Sequence, residues 1–205
     1  MFENLKNITC ILLLLATLTI ASCEPVYAAN IGPALTETFG NEGGLTKDDG
    51  GWTNFGISQN GSGMTEAQIK ALNLESAADW YNRNVWTPLG LDKEPSQIIA
   101  NQVFEEAVNG GTGTGARQYQ TAINLSNESN ADIPVDGTIG PGTWAARAKA
   151  NSIELYCNMI ILWGTRYQVL VKQNPAKYQR YFKGWLYRLK GNVIKAVHEY
   201  EEARK

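Results

Sequence analysis

Paired cysteines are missing from the folded part of this chain. Of three cysteines in 205 residues, Cys10 lies in an apolar leader, Cys23 at its end, and Cys157 stands alone. That set builds no disulfide framework. A single histidine, His198 in a polar C-terminal helix, leaves no zinc cluster and no Cys–His or Ser–His dyad, and reads as a solvated surface group. Excess charge is missing too. A formal charge of −2 and a pI near 5.5 remove the electrostatic footprint of a nucleic-acid binder. There is no run of like charges, no repeat of twenty residues or more and no low-complexity block. Strand signals are nearly absent; only "WTNFGIS" suits a short hairpin arm.

The chain does have apolar content for a real core, at 43% hydrophobic and 10% aromatic residues. "ILLLLATLTIA" has signal-peptide length and is too short for a comfortable membrane span. "IASC" then resembles the lipobox of bacterial lipoproteins, with Cys23 as the lipidated first residue. Ordinary cleavage at "VYAA", Val26 to Ala29, and a retained anchor are the alternatives. Residues 1–22 are thus expected to be a signal peptide and 23–31 a linker.

Helical patterns dominate the rest. "TEAQIKAL" opens on Thr65, a good N-cap, with Ile69 and Leu72 on one face. "LESAADWYNRNVW" stacks Ala77, Trp80, Tyr81 and Val85 and is expected to stop at Pro88. "PSQIIANQVFEEAV" has Pro95 near its first turn, and its left-handed cap is expected at Gly110 and Gly111. "GARQYQTAIN" reads as a shorter helix, "LSNESNADIPVDGTIGPGT" as a long polar loop, and a helix is expected from Thr143. "IELYCNMIILWGTRYQVLV" is a buried core helix in which Cys157 is expected as a small buried hydrophobe. An aromatic-rich helix closes the chain. The fold class is mostly α.

"EGGLTKDDGGWTNFGIS", residues 42–58, concentrates carboxylates on a glycine-rich stretch that is costly to order. Glu42 sits where helix gives way to an open loop. A glycosidase acid needs such a place, shielded enough to hold its proton yet open to a sugar polymer; a capping or solvated glutamate is the alternative. Asp48 and Asp49 also read as a turn pair capping the loop, a reading that fits Asp48 better than Asp49. The Thr53 hydroxyl either holds water or substrate or bonds the loop backbone. Trp80, Tyr81 and Trp86 either floor a saccharide groove or fill the core, and Asn109 is either a helix cap or a cleft contact.

This stretch resembles the signature of glycoside hydrolase family 108, a lysozyme-like group of N-acetylmuramidases. Glu42, Gly43, Gly44, Asp49, Gly50, Gly51, Thr53, Gly56 and Ile57 match its pattern. "WYNRNVW" and "VFEEAVNGG" continue the resemblance. "VDGTIGPGTW" and "FKGWLYR" resemble its peptidoglycan-binding-like C-terminal region and its Gly-Trp-x-x-Arg closing helix. The one departure is the short loop "LTKDD" between the glycine pairs.

The resemblance implies a lysozyme-like catalytic region over 32–110, with a hairpin or loop arm after Glu42. A peptidoglycan-binding-like region over 111–191 would pack on it, followed by a helix or tail over 192–205. It implies hydrolysis of the β-1,4 bond between N-acetylmuramic acid and N-acetylglucosamine. Glu42 would be the general acid, Asp49 would steady charge or activate water, and Thr53, Asn109, Tyr81 and Trp86 would contact substrate. No metal or organic cofactor is implied. Peptidoglycan is the expected partner, with membrane contact only through a lipid anchor at Cys23, no nucleic acid and a monomeric state. A lytic transglycosylase and a non-catalytic wall-binding lipoprotein are the rival readings.

Overall fold

Capping and helical periodicity organise most of the chain in the computed structural model, which describes residues 28–41, 44–48, 51–127 and 132–202. Helix α1 (Ile31–Asn41) buries Ala34 and Thr38 and leads into a three-stranded antiparallel sheet, β1 (Thr46–Asp48), β2 (Gly51–Asn54) and β3 (Ile57–Ser58). The register pairs Thr46 with Thr53, Lys47 with Trp52 and Asp48 with Gly51, then Thr53 with Ser58 and Asn54 with Ile57. Sequence reasoning anticipates only the β2–β3 arm. "TKD" has no apolar alternation to announce a strand, and Asp48 closes that strand where a turn residue was expected.

Short helices follow: α2 (Gln59–Ser62), α3 (Glu66–Ala71) and α4 (Leu74–Tyr81). Thr65 caps α3 with a full capping box: its hydroxyl accepts from Gln68 N, and the Gln68 side chain accepts from Thr65 N. Beyond α4 the backbone widens into a π-helical turn (Asn82–Trp86) and continues as α5 (Thr87–Leu89). Pro88 therefore does not stop the helix. It sits in the first turn of α5, where a missing N–H costs little, and the chain turns at Gly90 with φ of 63°.

Helix α6 (Gln97–Gly110) is the central element. Residues 99–107 are buried without a break, including Asn101, Gln102, Glu105 and Glu106, because α1, α7 (Thr112–Leu125) and α9 (Ser152–Gln173) cover it on several sides. Pro95 lies just before the N-cap, Ser96, near the first turn as expected. Gly111 follows with φ of 87° and ψ of 152°, an extended left-sided turn and not the left-handed helical cap expected. Helix α7 starts at Thr112, earlier than its apolar pattern suggests, and α8 (Pro141–Arg147) starts at Pro141 instead of Thr143.

The polar loop between them is held from below by the buried Gln120. Its amide donates to Asp136 Oδ1 at 2.9 Å and Thr138 O at 3.0 Å, while its oxygen accepts from Gly137 N at 2.9 Å.

Helices α9 and α10 (Pro175–Glu202) form a long hairpin. Leu155, Tyr156, Met159, Ile160, Trp163 and Tyr167 are the buried stripe of α9. Cys157 is exposed, a correction to its expected burial: it lies two positions past Leu155, off that stripe. His198 is exposed as expected. Among the described residues no helix is long and apolar enough to cross a membrane. The signal, Cys10, Cys23 and the start of the "VYAA" site lie outside the described residues.

Candidate active site

The site is framed by the end of α1, the sheet and the last turns of α6. Glu42 follows directly on Asn41, the last residue of α1, and Asp49 follows Asp48, the residue paired with Gly51. Both Glu42 and Asp49 lie outside the described residues.

The frame is held by specific contacts. Asn54 is buried, and its amide donates to Ile69 O at 3.1 Å and Leu72 O at 3.2 Å, tying β2 to α3. The β2–β3 turn places Phe55 at φ 52° and Gly56 at φ 77°. A left-handed phenylalanine is strained by about 1–3 kcal/mol and persists only where its surroundings over-determine it. Here they do. The Tyr81 hydroxyl donates to Phe55 O at 3.0 Å, and Phe39 of α1 meets the Phe55 ring edge-on at 5.7 Å. Tyr81 itself packs edge-on against Phe104 of α6 at 5.6 Å. One aromatic chain thus links α1, the hairpin, α4 and the central helix.

The expected substrate contacts do not gather in one place. Thr53 is half-buried in the middle strand, and its hydroxyl makes no hydrogen bond to another described residue. Tyr81, 1% exposed, shows only an edge to a cavity of about 400 Å³ behind the sheet, which Trp80, Ser58 and Val108 also line. Trp86, 4% exposed, is packed against Phe104 and offers no open face to a sugar. Asn109 faces another way. Its amide donates to Glu105 O at 2.8 Å, and its oxygen accepts from Arg188 of α10 at 2.9 Å.

Arg188 is a residue that sequence reasoning noted only as the end of a motif. It also reaches Glu105, with Nε 3.2 Å from Oε1, so it pins the last turns of α6 to α10. The neighbouring Glu106 makes no ion pair among the described residues, though the Arg166 charge acts on it from further off. Burial first, and then the Glu105 charge, raise its carboxyl well above the usual range, against a hydrogen bond from Gln102 that lowers it. On α1, Glu37 accepts from Asn101 at 3.0 Å and from Lys195 at 2.6 Å. A cavity of about 790 Å³ opens between α1 and α10, with Gly40 among its lining residues. Among the described residues no group of three or more His, Cys, Asp or Glu side chains is placed to hold a metal.

Residues 35–111 match the family described as glycosyl hydrolase 108, and residues 116–190 match the family described as "Predicted Peptidoglycan domain". Among solved structures, the chain is similar to that of Brucella abortus SagA. The match has a TM-score of 0.66 and 24% identity, over 82% of this chain and 94% of that one, a likeness of fold. No curated protein matches the chain. The first of these matches spans the whole glycine-rich stretch, including Glu42 and Asp49, and the second ends just past Arg188.

Proposed function

Because the chain is a lysozyme-like glycoside hydrolase of family 108 with a C-terminal peptidoglycan domain, we propose that it is an N-acetylmuramidase of the bacterial wall. It hydrolyses the β-1,4 bond between N-acetylmuramic acid and N-acetylglucosamine. Glu42 is the general acid that protonates the leaving oxygen. Asp49 steadies the oxocarbenium-like charge or activates the attacking water. The single observation that carries this reading is the frame: a helix ending one residue before Glu42, opposite a hairpin whose paired residues flank Asp49. Thr53, whose hydroxyl on the middle strand bonds no other described residue, is the substrate contact best supported; Tyr81 and Asn109 hold the walls. The protein works in the cell envelope as a monomer, with Cys23 as its lipidation site.

Mass spectrometry of muropeptides released by the purified protein tests the reaction. The expected products carry a reducing N-acetylmuramic acid. Products ending in a 1,6-anhydro sugar would make the enzyme a lytic transglycosylase, and wall binding without release would make it a binding protein.

Asp49→Asn is expected to lower kcat on the order of a hundredfold, the scale of a lost electrostatic contact in the transition state, while wall binding holds. Asp48→Asn should do little. Equal losses in both variants, with unfolding midpoints falling in parallel, would reduce both aspartates to loop residues.

A further inference from the structure

The groove between α1 and α10 has three features that the hydrolysis of a sugar bond does not use. The first is space without a packing reason. Gly40, Gly184 and Gly191 all line it, and a Cβ built on any of them would meet nothing within 4 Å. Glycine inside a helix lowers its stability, so three such positions facing one groove keep room for something else. The second is an unmet donor. Asn192 is 3% exposed, lines the groove, and its Nδ2 has no hydrogen-bond partner among the described residues. A buried donor is normally satisfied, and the missing partner is an acceptor.

The third is a surplus cation. Lys195 is engaged by Glu37 and Arg188 by Glu105, but Arg180 has no carboxylate partner among the described residues. Its guanidinium lies over the Tyr181 ring at 4.8 Å, held beside the groove. Tyr181 in turn stacks on Trp185 at 5.9 Å, and Trp185 on the buried Tyr167 at 4.5 Å, so the wall carrying Arg180 is rigid.

An occupant suited to this groove is extended, rich in acceptors and anionic. We propose that the groove seats the carboxylate-bearing peptide branch of peptidoglycan, with Arg180 pairing a carboxylate and Asn192 donating to a backbone carbonyl. The glycan strand then lies on the Gly40 side, the part of the groove closest in sequence to Glu42. This rests on the reading of the chain as a peptidoglycan hydrolase and adds a determinant of specificity: the enzyme selects glycan that still carries its peptide. Without its peptide the disaccharide keeps a carboxylate only on the lactyl ether beside the sugar ring, and offers no peptide carbonyl to Asn192 and no carboxylate further along the groove to Arg180.

Calorimetry of the purified protein with a soluble disaccharide–tetrapeptide, and with the same disaccharide lacking peptide, tests the groove directly. Wall clearing is measured alongside. The peptide-bearing form should bind about tenfold tighter or better, the scale of one charge-assisted hydrogen bond. Arg180→Glu, at an exposed position, and Gly191→Leu, which fills the groove, should erase that preference. Affinity for the peptide-free disaccharide and the circular dichroism spectrum should stay unchanged. Equal binding of both forms by the wild type, or variants that keep the preference or weaken both forms alike, would overturn the proposal. Clearing without preference overturns the groove assignment and leaves the hydrolase. Preference without clearing upholds the groove and overturns the hydrolase.

Discussion

Glu42→Gln is expected to abolish wall clearing in a zymogram while the circular dichroism spectrum stays that of the wild type. Glutamine keeps the shape of the side chain but has no proton to deliver. General acid catalysis contributes about 10²–10⁴-fold, or about 2.7–5.5 kcal/mol of barrier. The neighbouring carboxyl groups are poor substitutes. Both oxygens of Glu37 already accept hydrogen bonds, from Asn101 and Lys195. Glu105 is bridged to Arg188, and Glu106 is sealed in the core. Glu37→Gln should therefore retain most activity where Glu42→Gln retains none. Clearing by Glu42→Gln, or equal loss in both variants, would move the acid elsewhere.

Residues 42–58 carry a family's pattern, so the family match over residues 35–111 was legible from the sequence, as were the helices whose apolar residues recur at 3.6. What stayed hidden shares a physical cause: it depends on partners far apart in the chain. Phe55 sits left-handed where Tyr81, 26 residues on, holds its carbonyl and Phe39 meets its ring. The closing motif Gly-Trp-x-x-Arg was visible as letters. Its meaning emerges from Arg188 reaching Asn109 across 79 residues and from Gly184 facing an open groove. Cys157 was misread because a helix of the α9–α10 hairpin is covered on only part of its circumference. Its apolar neighbours Ile161 and Val169 are exposed as well, so hydrophobicity alone did not mark the inward face. Tyr81 and Trp86 were offered as sugar platforms or as core residues; both are buried among core residues, and Tyr81 also lines a cavity.

Arg147→Met is expected to destabilise the protein more than any surface change, by about 3–5 kcal/mol, the cost of leaving half of a buried ion pair behind. Glu94 is 0% exposed, and its carboxylate accepts from Arg147 Nε at 2.9 and 3.1 Å and Nη2 at 2.7 Å. It also accepts from the Tyr119 hydroxyl and from Ser96 N. Burial and the Glu94 charge raise the Tyr119 phenol well above its usual range, so it remains a donor throughout. Arg147 also donates to Ala150 O and Ser152 Oγ, closing the turn from α8 into α9. In sequence Glu94 and Arg147 look like ordinary surface charges 53 residues apart; in the fold they join the two matched regions through a dry contact. Ala29 adds to the junction by donating to the Glu94 carbonyl at 3.0 Å. For a chain of this size the loss corresponds to a Tm lower by roughly 6–20 °C, read by urea and thermal unfolding. Glu94→Leu combined with Arg147→Met should recover much of it, because no buried charge is then left unpaired. A single-variant loss below about 1 kcal/mol, or a double variant no better than the single, would show that the pair is not what joins the two regions.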